Sequence, residues 1–346
     1  MTIRFGHLSA MRNIARVLGL KAVAALEAGK SEAAAADIDL MLDLAHRLES
    51  DPMLLSQLVC ISLFDMAMQP IWEGMQQHRW NTAQLERWKI KMRGPDLLKG
   101  LKQSMRMERA MNAQSLDLMR QDPMVLIRAV PRMGEIGLGD TSSALPSENN
   151  AVGCFIVRHV VPSGWWHFEK ANFARRMDEL ILGPLPETFA AVDVQKMKDG
   201  MGRAEKWRID SGSWDVILRH ELCAYLLLDG LRNVVPGSVT GQNRLELAAT
   251  AVALEQYHLK HREYPDGLTQ LVPEFLAEVP VDIVDRKPLR YRKEEAGGYT
   301  LWSIGWDEKD DEGTIVLSSL TGVEAIQAEE GDWVWSMSAP LKVIKQ

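Results

Sequence analysis

The chain has 346 residues, of which 46% are hydrophobic and 25% are charged, and its formal net charge is −7. This length suffices for about two domains, and this composition is typical of a globular protein with a substantial buried core. The negative charge argues against a sequence-independent nucleic-acid binder, because such proteins carry basic surfaces that pair with phosphates.

The three cysteines, Cys60, Cys154 and Cys223, are far apart in the sequence and lie in apolar surroundings. An odd number of cysteines without CxxC spacing predicts neither a disulfide framework nor a zinc site. We therefore expect buried free thiols, which are common among cysteines of globular proteins.

No targeting or membrane-spanning segment is evident in the sequence. The first residues, up to His7, lack the apolar stretch and cleavage site of a signal peptide. The apolar run 216–228 is interrupted by Arg219, His220 and Glu221, and it is shorter than the roughly 20 apolar residues that cross a bilayer. These features predict a soluble chain.

Residues 9–49 predict a helical hairpin. Gly29 has the position of a helix C-cap, and Ser31 has that of the next N-cap. The small residues around this turn resemble the middle of a tetratricopeptide repeat, but no second copy follows at a spacing of about 34 residues. The sequence therefore predicts a single repeat-like α-hairpin.

Residues 1–121 as a whole predict a multi-helix bundle. The segment 53–78 is apolar on most sides, as is typical of a helix buried in a bundle, and Pro70 should kink it. Two more helices are predicted over 83–92 and 96–120. Residues 122–150 are rich in glycine, proline and serine and predict a loop or linker.

Residues 151–242 predict a helical continuation of this bundle, with a buried helix over 214–235 that ends at Pro236. The adjacent Trp165 and Trp166 suit either a ligand-stacking platform or a packing anchor between helices, and we favour the anchor. If the helical body held an enzymatic site, these tryptophans, His167 and Glu108 would mark its cleft. For Glu108 and its neighbour Arg109, a structural ion pair is the simpler interpretation.

Residues 243–346 predict a small α+β domain with a short antiparallel sheet. A long helix over 244–261 stops at Tyr264-Pro265, and short strands follow. Near the end of the chain, Trp333 and Trp335 would share one face of a strand. They could pack on the sheet, whereas an exposed pair would mark a partner surface.

The same region carries an ordered series of motifs: Y-P at 264–265, P-V-D at 280–282, P-L-x-Y at 288–291 and G-G-Y-x-L-W-S-x-G at 297–305. This series resembles the soluble part of the major pseudopilins of type II secretion systems. The resemblance implies a pseudopilin-like helix-plus-sheet fold and a cell-envelope association. Pseudopilins begin with an apolar anchor helix, whereas polar residues 238–243 precede the helix here. The whole chain also resembles uncharacterised helical proteins of planctomycetes and verrucomicrobia.

The pseudopilin resemblance also implies a calcium site in the loop 307–313, because the matching loop of that family binds calcium. The implied ligands are Asp307, Asp310 and Asp311, with Ser303 and Glu312 as weaker candidates. Closely spaced carboxylates and loop carbonyls can supply the six to eight oxygens that Ca²⁺ takes. The alternative is a solvated acidic turn.

A second possible metal site lies at the end of the long helix. His258 and His261 are three residues apart and would share one helical face, with Glu263 close by. The alternative, which we favour, is a solvated helix C-terminus, where a protonated histidine complements the helix dipole.

The sequence contains no recognisable set of nucleophile, base and orienting group. We therefore predict a non-enzymatic interaction or scaffold protein that binds protein partners. One alternative is an enzyme with a site in the helical body, and another is a calcium-stabilised structural module of an assembly.

Overall fold

The structure, a computed structural model, describes residues 6–121, 162–232, 234–295, 297–320, 323–337 and 342–345. It is mostly helical, with short antiparallel and mixed sheets in the C-terminal region, which confirms the predicted helical bundle and small β region. The chain forms two compact units: the first contains Met1–Gly100 and Pro236–Gln346, and the second contains Leu101–Val235. These bounds differ from the predicted segments because the C-terminal residues pack with the N-terminal helices. The predicted linker 122–150 and Cys154 lie outside the described residues.

The α-helices of the described residues follow one another in the order α1 (Gly6–Glu27), α2 (Ser31–His46), α3 (Leu54–Gln76), α4 (Thr82–Arg93), α5 (Leu97–Gln121), α6 (Trp165–Met177), α7 (Val194–Asp210), α8 (Ser213–Leu218), α9 (Leu222–Arg232) and α10 (Val234–His261). A π-helical turn, Asp178–Leu182, extends α6. The predicted helices of the first bundle are thus confirmed with shifts of one to three residues at their ends.

Helices α1 and α2 form the predicted hairpin. Gly29, at φ 71°, allows a Schellman turn in which its N–H donates to the Leu26 carbonyl at 2.9 Å and the Lys30 N–H donates to the Ala25 carbonyl at 2.8 Å. The predicted N-cap at Ser31 is wrong. Lys30 occupies the cap position without a capping side chain, and Ser31 is the first residue of α2.

Helix α3 is the one helix of the described residues that is long and apolar enough to cross a membrane by length and composition. In the fold, 61% of its most apolar window is buried, as is typical of a core helix. The helix continues through Pro70. The apolar run 216–228 does not form one continuous helix, because a turn at His220 interrupts it.

Helix α10 begins earlier than predicted and passes through Pro236, where the sequence predicted a helix end. Pro236 lies in the first turn of α10, where its missing N–H needs no intrahelical partner. The predicted helix over 214–235 is also wrong, because α8 and α9 flank His220, which has a φ of 55°. Helix α10 packs closely on α3: a Cβ added to Gly241 would lie 2.8 Å from Ile61 Cγ2.

Two three-stranded sheets complete the first unit. Strands β1 (Arg290–Lys293), β2 (Tyr299–Ser303) and β5 (Trp333–Ser336) form an antiparallel sheet in the order β1-β2-β5. Strands β3 (Thr314–Leu320), β4 (Val323–Gly331) and β6 (Lys342–Lys345) form a second sheet in the order β4-β3-β6, in which β6 runs parallel to β3. The first sheet is the short antiparallel sheet that the sequence predicts, whereas the second sheet is not predicted by the sequence.

The second unit is helical throughout the residues that the structure describes, apart from its connecting turns. A small hydrophobic cluster of Val216, Leu222 and Leu226 packs against Trp165 and Tyr225. Outside this cluster, the predicted free thiols are confirmed for Cys60 in the first unit and Cys223 in the second, both of which are buried. Burial raises the pKa of Cys60 to about 12 and that of Cys223 well above its ordinary value.

Candidate functional site

The first unit contains a cleft of about 410 Å³, here called the tryptophan cleft. Its helical wall consists of Asp65, Met68, Gln69 and Trp72 from α3 and Arg244 and Leu247 from α10. Its β wall consists of Ile315, Asp332 and the four residues of β5, which include Trp333 and Trp335. The volume lies in the lower part of the range of ligand pockets.

One edge of the antiparallel sheet borders this cleft. Met337 N donates to Tyr299 O at 2.9 Å. Every second residue of β5, namely Trp335 and Trp333, therefore belongs to a hydrogen-bonded pair with β2. Val334 and Ser336 therefore direct their peptide groups away from β2. The Ser336 carbonyl accepts a hydrogen bond from the Trp72 indole at 2.8 Å. The N–H and C=O groups of Val334 point to the same edge of β5 as the Ser336 carbonyl, and this edge faces the cleft.

The first charged group of the cleft is an ion pair between its two helices. Arg244 Nη1 donates to Asp65 Oδ2 at 3.2 Å, and both side chains are partly exposed. Burial raises the pKa of the Asp65 carboxyl, while the guanidinium of Arg244 opposes that rise. The pair leaves the helical wall nearly neutral in charge.

The second charged group is Asp332, which is only 1% exposed. Its Oδ2 accepts the backbone N–H groups of Gly313 at 2.7 Å and Thr314 at 3.3 Å. Its Oδ1 is buried and accepts no hydrogen bond of normal geometry from the described residues. Burial raises the pKa of Asp332 to about 6, and the backbone N–H groups oppose the rise. At neutral pH the cleft therefore contains one carboxylate without a cationic partner among its lining residues.

The lining of the cleft combines aromatic and charged side chains. Its described lining residues include no histidine, cysteine or lysine. The hydroxyl among them, that of Ser336, donates to the Tyr299 carbonyl at 3.5 Å. Three indoles, an ion pair and a buried carboxylate are instead groups that recognise a ligand.

The predicted calcium ligands Asp307, Asp310 and Asp311 lie in the turn between β2 and β3. Asp307 Oδ1 accepts the Lys309 N–H at 3.2 Å. Asp310 Oδ1 accepts the Trp302 indole N–H at 2.9 Å, and Asp310 Oδ2 lies 3.5 Å from Arg290 Nε. Asp311 uses its carbonyl to accept the Thr314 hydroxyl at 2.6 Å. Calcium binding by this turn stays a prediction.

The weaker calcium candidates are engaged elsewhere. Ser303 is fully buried, and its hydroxyl donates to Asp282 Oδ1 at 2.8 Å. The backbone carbonyl of Glu312 accepts a hydrogen bond from Arg292 Nη1 at 3.3 Å. The Ser303 hydroxyl therefore belongs to the core of the sheet.

His258 has different neighbours from those that the sequence suggested. His261 stacks on Tyr257 with ring centroids 4.2 Å apart, and Glu263 lies 3.4 Å from Lys293 Nζ. Among the described residues, the group of three metal-ligating side chains with ligand atoms within 4.8 Å of one another is His78, Glu255 and His258, here called the histidine cluster. Burial, followed by the influence of His78, lowers the pKa of His258.

His78 and Glu255 do not stand out in the sequence as metal ligands, because a single sequence does not show which distant segments meet. His78 lies 177 residues before Glu255 in the chain. Trp72, Arg244 and Asp332 do not stand out in the sequence as parts of a cleft either. The paired tryptophans of β5 were the one signal that pointed to this region.

Of the residues that mark the possible enzymatic site in the second unit, the two tryptophans pack against each other. Trp166 is buried and meets Trp165 edge-on at 5.3 Å, which agrees with a packing anchor. His167 is exposed. Arg109 pairs with Asp178 instead of Glu108, and burial raises the pKa of Glu108.

A cavity of about 10 Å³ in this unit has an entirely apolar lining of Leu180, Ile181, Pro184, Leu185, Met197, Met201 and Val235. It has room for about one water molecule and offers that molecule no polar side chain. None of the residues that marked the possible enzymatic site lines it. The enzyme alternative in the helical body therefore gains no support from this cavity.

No family model matches the chain, and no curated protein and no solved structure matches it either. The resemblance to pseudopilins therefore stays a prediction that depends on the motifs between residues 264 and 305.

Proposed function

We propose that this protein is a non-enzymatic interaction protein that binds an extended segment of a partner protein in the tryptophan cleft. The observation that carries this proposal is the position of β5, which is both an edge strand of its sheet and part of the cleft wall. An edge strand presents backbone N–H and C=O groups to which another chain can add a strand.

The backbone of β5 provides the affinity in this proposal. The N–H and C=O groups of Val334 point away from β2, and they can pair with a peptide laid along the strand. Each such hydrogen bond contributes about 0.5–1.5 kcal/mol. The short strand thus holds the segment in one register and leaves selectivity to the side chains of the cleft.

The side chains of the cleft select a basic residue in that segment. Arg244 already pairs with Asp65, whereas Asp332 has no cationic partner among the lining residues. Indole rings attract cations over their faces, and this attraction is worth about 0.5–2 kcal/mol. A lysine or arginine side chain between Trp335 and Trp333 would add a charge that complements Asp332. The partner segment is therefore extended, apolar and basic at one position.

The motifs that resemble those of pseudopilins also suggest where in the cell the protein acts. If residues 243–346 derive from a pseudopilin head, the partner is a component of a cell-envelope assembly. Calcium at Asp307, Asp310 and Asp311 would then stabilise the turn between β2 and β3, as the resemblance implies. Both points are proposals that rest on the sequence motifs.

The test uses two blocked pentapeptides, acetyl-Val-Arg-Val-Arg-Val-amide and its counterpart with glutamate at both arginine positions. Isothermal titration calorimetry of the full chain should show binding of the arginine peptide and none of the glutamate peptide. Val334→Pro removes the outward N–H without touching the ladder to β2, because proline is tolerated on an edge strand when its nitrogen faces away. We expect this variant to bind about 3- to 10-fold more weakly, as the loss of one backbone hydrogen bond predicts.

Two further variants separate the cleft from general effects of tryptophan loss. Trp335→Ala should weaken the binding of the arginine peptide, while Trp214→Ala, at a side chain that is 77% exposed in the second unit, should leave it unchanged. Equal binding of the two peptides, or an unchanged affinity in both Val334→Pro and Trp335→Ala, would refute the proposal.

A further inference from the structure

The histidine cluster joins two segments of the first unit. His78 follows the end of α3 and has a φ of 49°, in the left-handed region. Its N–H donates to the Met75 carbonyl at 3.0 Å, which fixes this turn. Glu255 and His258 are three residues apart on α10 and therefore share one face of that helix. The backbone of both segments thus holds the three side chains in place.

The three side chains make close contact. His78 Nδ1 lies 2.8 Å from Glu255 Oε1. The rings of His78 and His258 are stacked with centroids 4.4 Å apart. The His258 Nδ1 atom is buried and has no hydrogen-bond partner among the described residues. A buried polar atom without a partner costs free energy, so this nitrogen calls for an explanation.

We propose that His78, Glu255 and His258 bind one divalent transition-metal ion, and zinc in particular. Two imidazoles and one carboxylate are a ligand set that zinc uses, with the remaining position open to water. His78 offers access to that position, because its side chain is 44% exposed while that of Glu255 is 1% exposed. The ion would also use the buried Nδ1 atom of His258.

The surroundings of the cluster provide the support that metal ligands need. Tyr264 donates its hydroxyl to Glu255 Oε2 at 2.9 Å, so the second oxygen of this carboxylate is already held. Tyr264 also stacks on the His258 ring with centroids 4.7 Å apart. Groups that orient ligands in this way typically change metal affinity about 10- to 100-fold when they are removed.

Binding requires one local adjustment. The ligand atoms lie within 4.8 Å of one another, whereas donors around one zinc ion at about 2.0–2.2 Å are closer together. Rotation of the partly exposed His78 ring can close this gap. The ion then replaces the hydrogen bond between His78 Nδ1 and Glu255 Oε1, and because metal ligands must be deprotonated, binding releases protons.

The test uses the full chain, freed of metal with a chelator and titrated with zinc chloride in a calorimeter. We expect one strong site per chain and a melting temperature that rises with zinc concentration, because the ion binds the folded state. Cobalt should give the visible absorption of a four-coordinate Co²⁺ ion with nitrogen and oxygen ligands. Two buffers with different ionisation enthalpies should reveal the released protons.

Three variants and one control assign the ligands. His78→Ala and Glu255→Gln should each weaken the strong site at least 100-fold, and Tyr264→Phe should weaken it about 10- to 100-fold. His261→Ala is the control, because this histidine is exposed and stacks on Tyr257. His78→Ala also removes a hydrogen-bond partner of the buried Glu255 carboxylate, so in chelator it should melt somewhat below the parent chain but still in one cooperative transition, which shows that the variant is folded.

Two outcomes would overturn the proposal. One is a parent chain that binds zinc no more tightly than His78→Ala does. The other is an equal loss of affinity in His261→Ala, which would place the ion elsewhere on α10. In either case the stacked histidines would only join the end of α3 to α10.

Discussion

The carboxylate of Asp282 accepts the hydroxyl of Ser303 at 2.8 Å, although the two residues are 21 positions apart in the chain. Asp282 also accepts the N–H of Ile304 at 3.1 Å and pairs with Arg290 Nη1 at 2.8 Å. Asp282 belongs to the P-V-D motif, and Arg290 belongs to the P-L-x-Y motif. Ser303 belongs to the G-G-Y-x-L-W-S-x-G motif. Three of the ordered motifs therefore meet at one buried carboxylate.

The first prediction concerns this carboxylate, which is fully buried. Asp282→Ala removes an acceptor that Ser303 and Ile304 share and leaves Arg290 without one of its partners. Breaking a buried ion pair typically costs about 3–5 kcal/mol. We expect a loss of that size in urea unfolding followed by circular dichroism. Asp266→Ala, at an exposed ion pair with Lys293, should cost less than about 1 kcal/mol. Similar losses in the two variants would contradict this interpretation.

The second prediction concerns pH and Asp332. Burial raises the pKa of this carboxyl from 3.8 to about 6, so between these values the folded state binds more protons than the unfolded chain. The free energy of unfolding therefore falls as pH rises through this window, by about 1–3 kcal/mol in all. Asp332→Asn should remove this part of the pH dependence. Unfolding in urea at pH 4, 5, 6 and 7 checks this prediction. If the free energy of unfolding changes with pH in Asp332→Asn as it does in the parent chain, the prediction is refuted.

The sequence predicted the helices well where local signals were strong. The glycine turn at Gly29 is one example, since this glycine has the positive φ that a helix C-cap requires. The prediction of a helix end at Pro236 was wrong, because proline is equally compatible with the first turn of a helix and with the residue after a helix. The sequence also failed to predict the second sheet, whose parallel pairing of β3 with β6 depends on distant contacts.

The candidate sites were less predictable than the fold, because both of them join distant segments. The tryptophan cleft needs Arg244 and Asp65, which are 179 residues apart in the chain. His258 was recognised as a possible ligand, but the sequence paired it with His261, its neighbour one turn away. The spacing of residues on one helix cannot show that His78 approaches from another segment.

The third prediction uses the close approach of Trp80 to α3. A Cβ added to Gly74 would lie 2.1 Å from the Trp80 ring, and that ring is buried and donates its N–H to the Ile71 carbonyl at 2.9 Å. Gly74→Ala should therefore cost about 1–3 kcal/mol, although alanine favours helices over glycine. Gly19→Ala in α1 is the matched control, with 3.6 Å to the nearest atom, and it should be neutral or stabilising. The melting temperatures of the two variants check this prediction. Equal values would show that the Trp80 ring moves aside at no cost in stability.

The fourth prediction concerns calcium. If Asp307, Asp310 and Asp311 bind it, calcium must raise the melting temperature, by an amount equivalent to about 2.7 kcal/mol at 100 times the dissociation constant. Calorimetry with calcium and with a calcium-selective chelator checks this in the parent chain. Asp311→Asn should remove the increase, whereas Asp266→Asn should not. A melting temperature that calcium leaves unchanged would rule out the site.

The fifth prediction concerns Glu169, a fully buried carboxylate in the second unit. Its oxygens accept the backbone N–H groups of Leu222 at 3.1 Å and Cys223 at 2.9 Å, so a side chain of α6 caps the first turn of α9. Glu169→Ala leaves both N–H groups buried without an acceptor, at a cost of about 1–3 kcal/mol each.

Glu169→Gln keeps one acceptor oxygen and should lose about half as much stability as Glu169→Ala. Glu179→Ala is the control, since this residue is partly exposed and pairs with Arg176 at 3.3 Å, and it should cost less than about 1 kcal/mol. Hydrogen exchange of the amides of Leu222 and Cys223 provides a local measurement. Exchange that accelerates in Glu169→Ala but not in Glu179→Ala would establish the cap, because only the first variant removes the acceptor of these two groups.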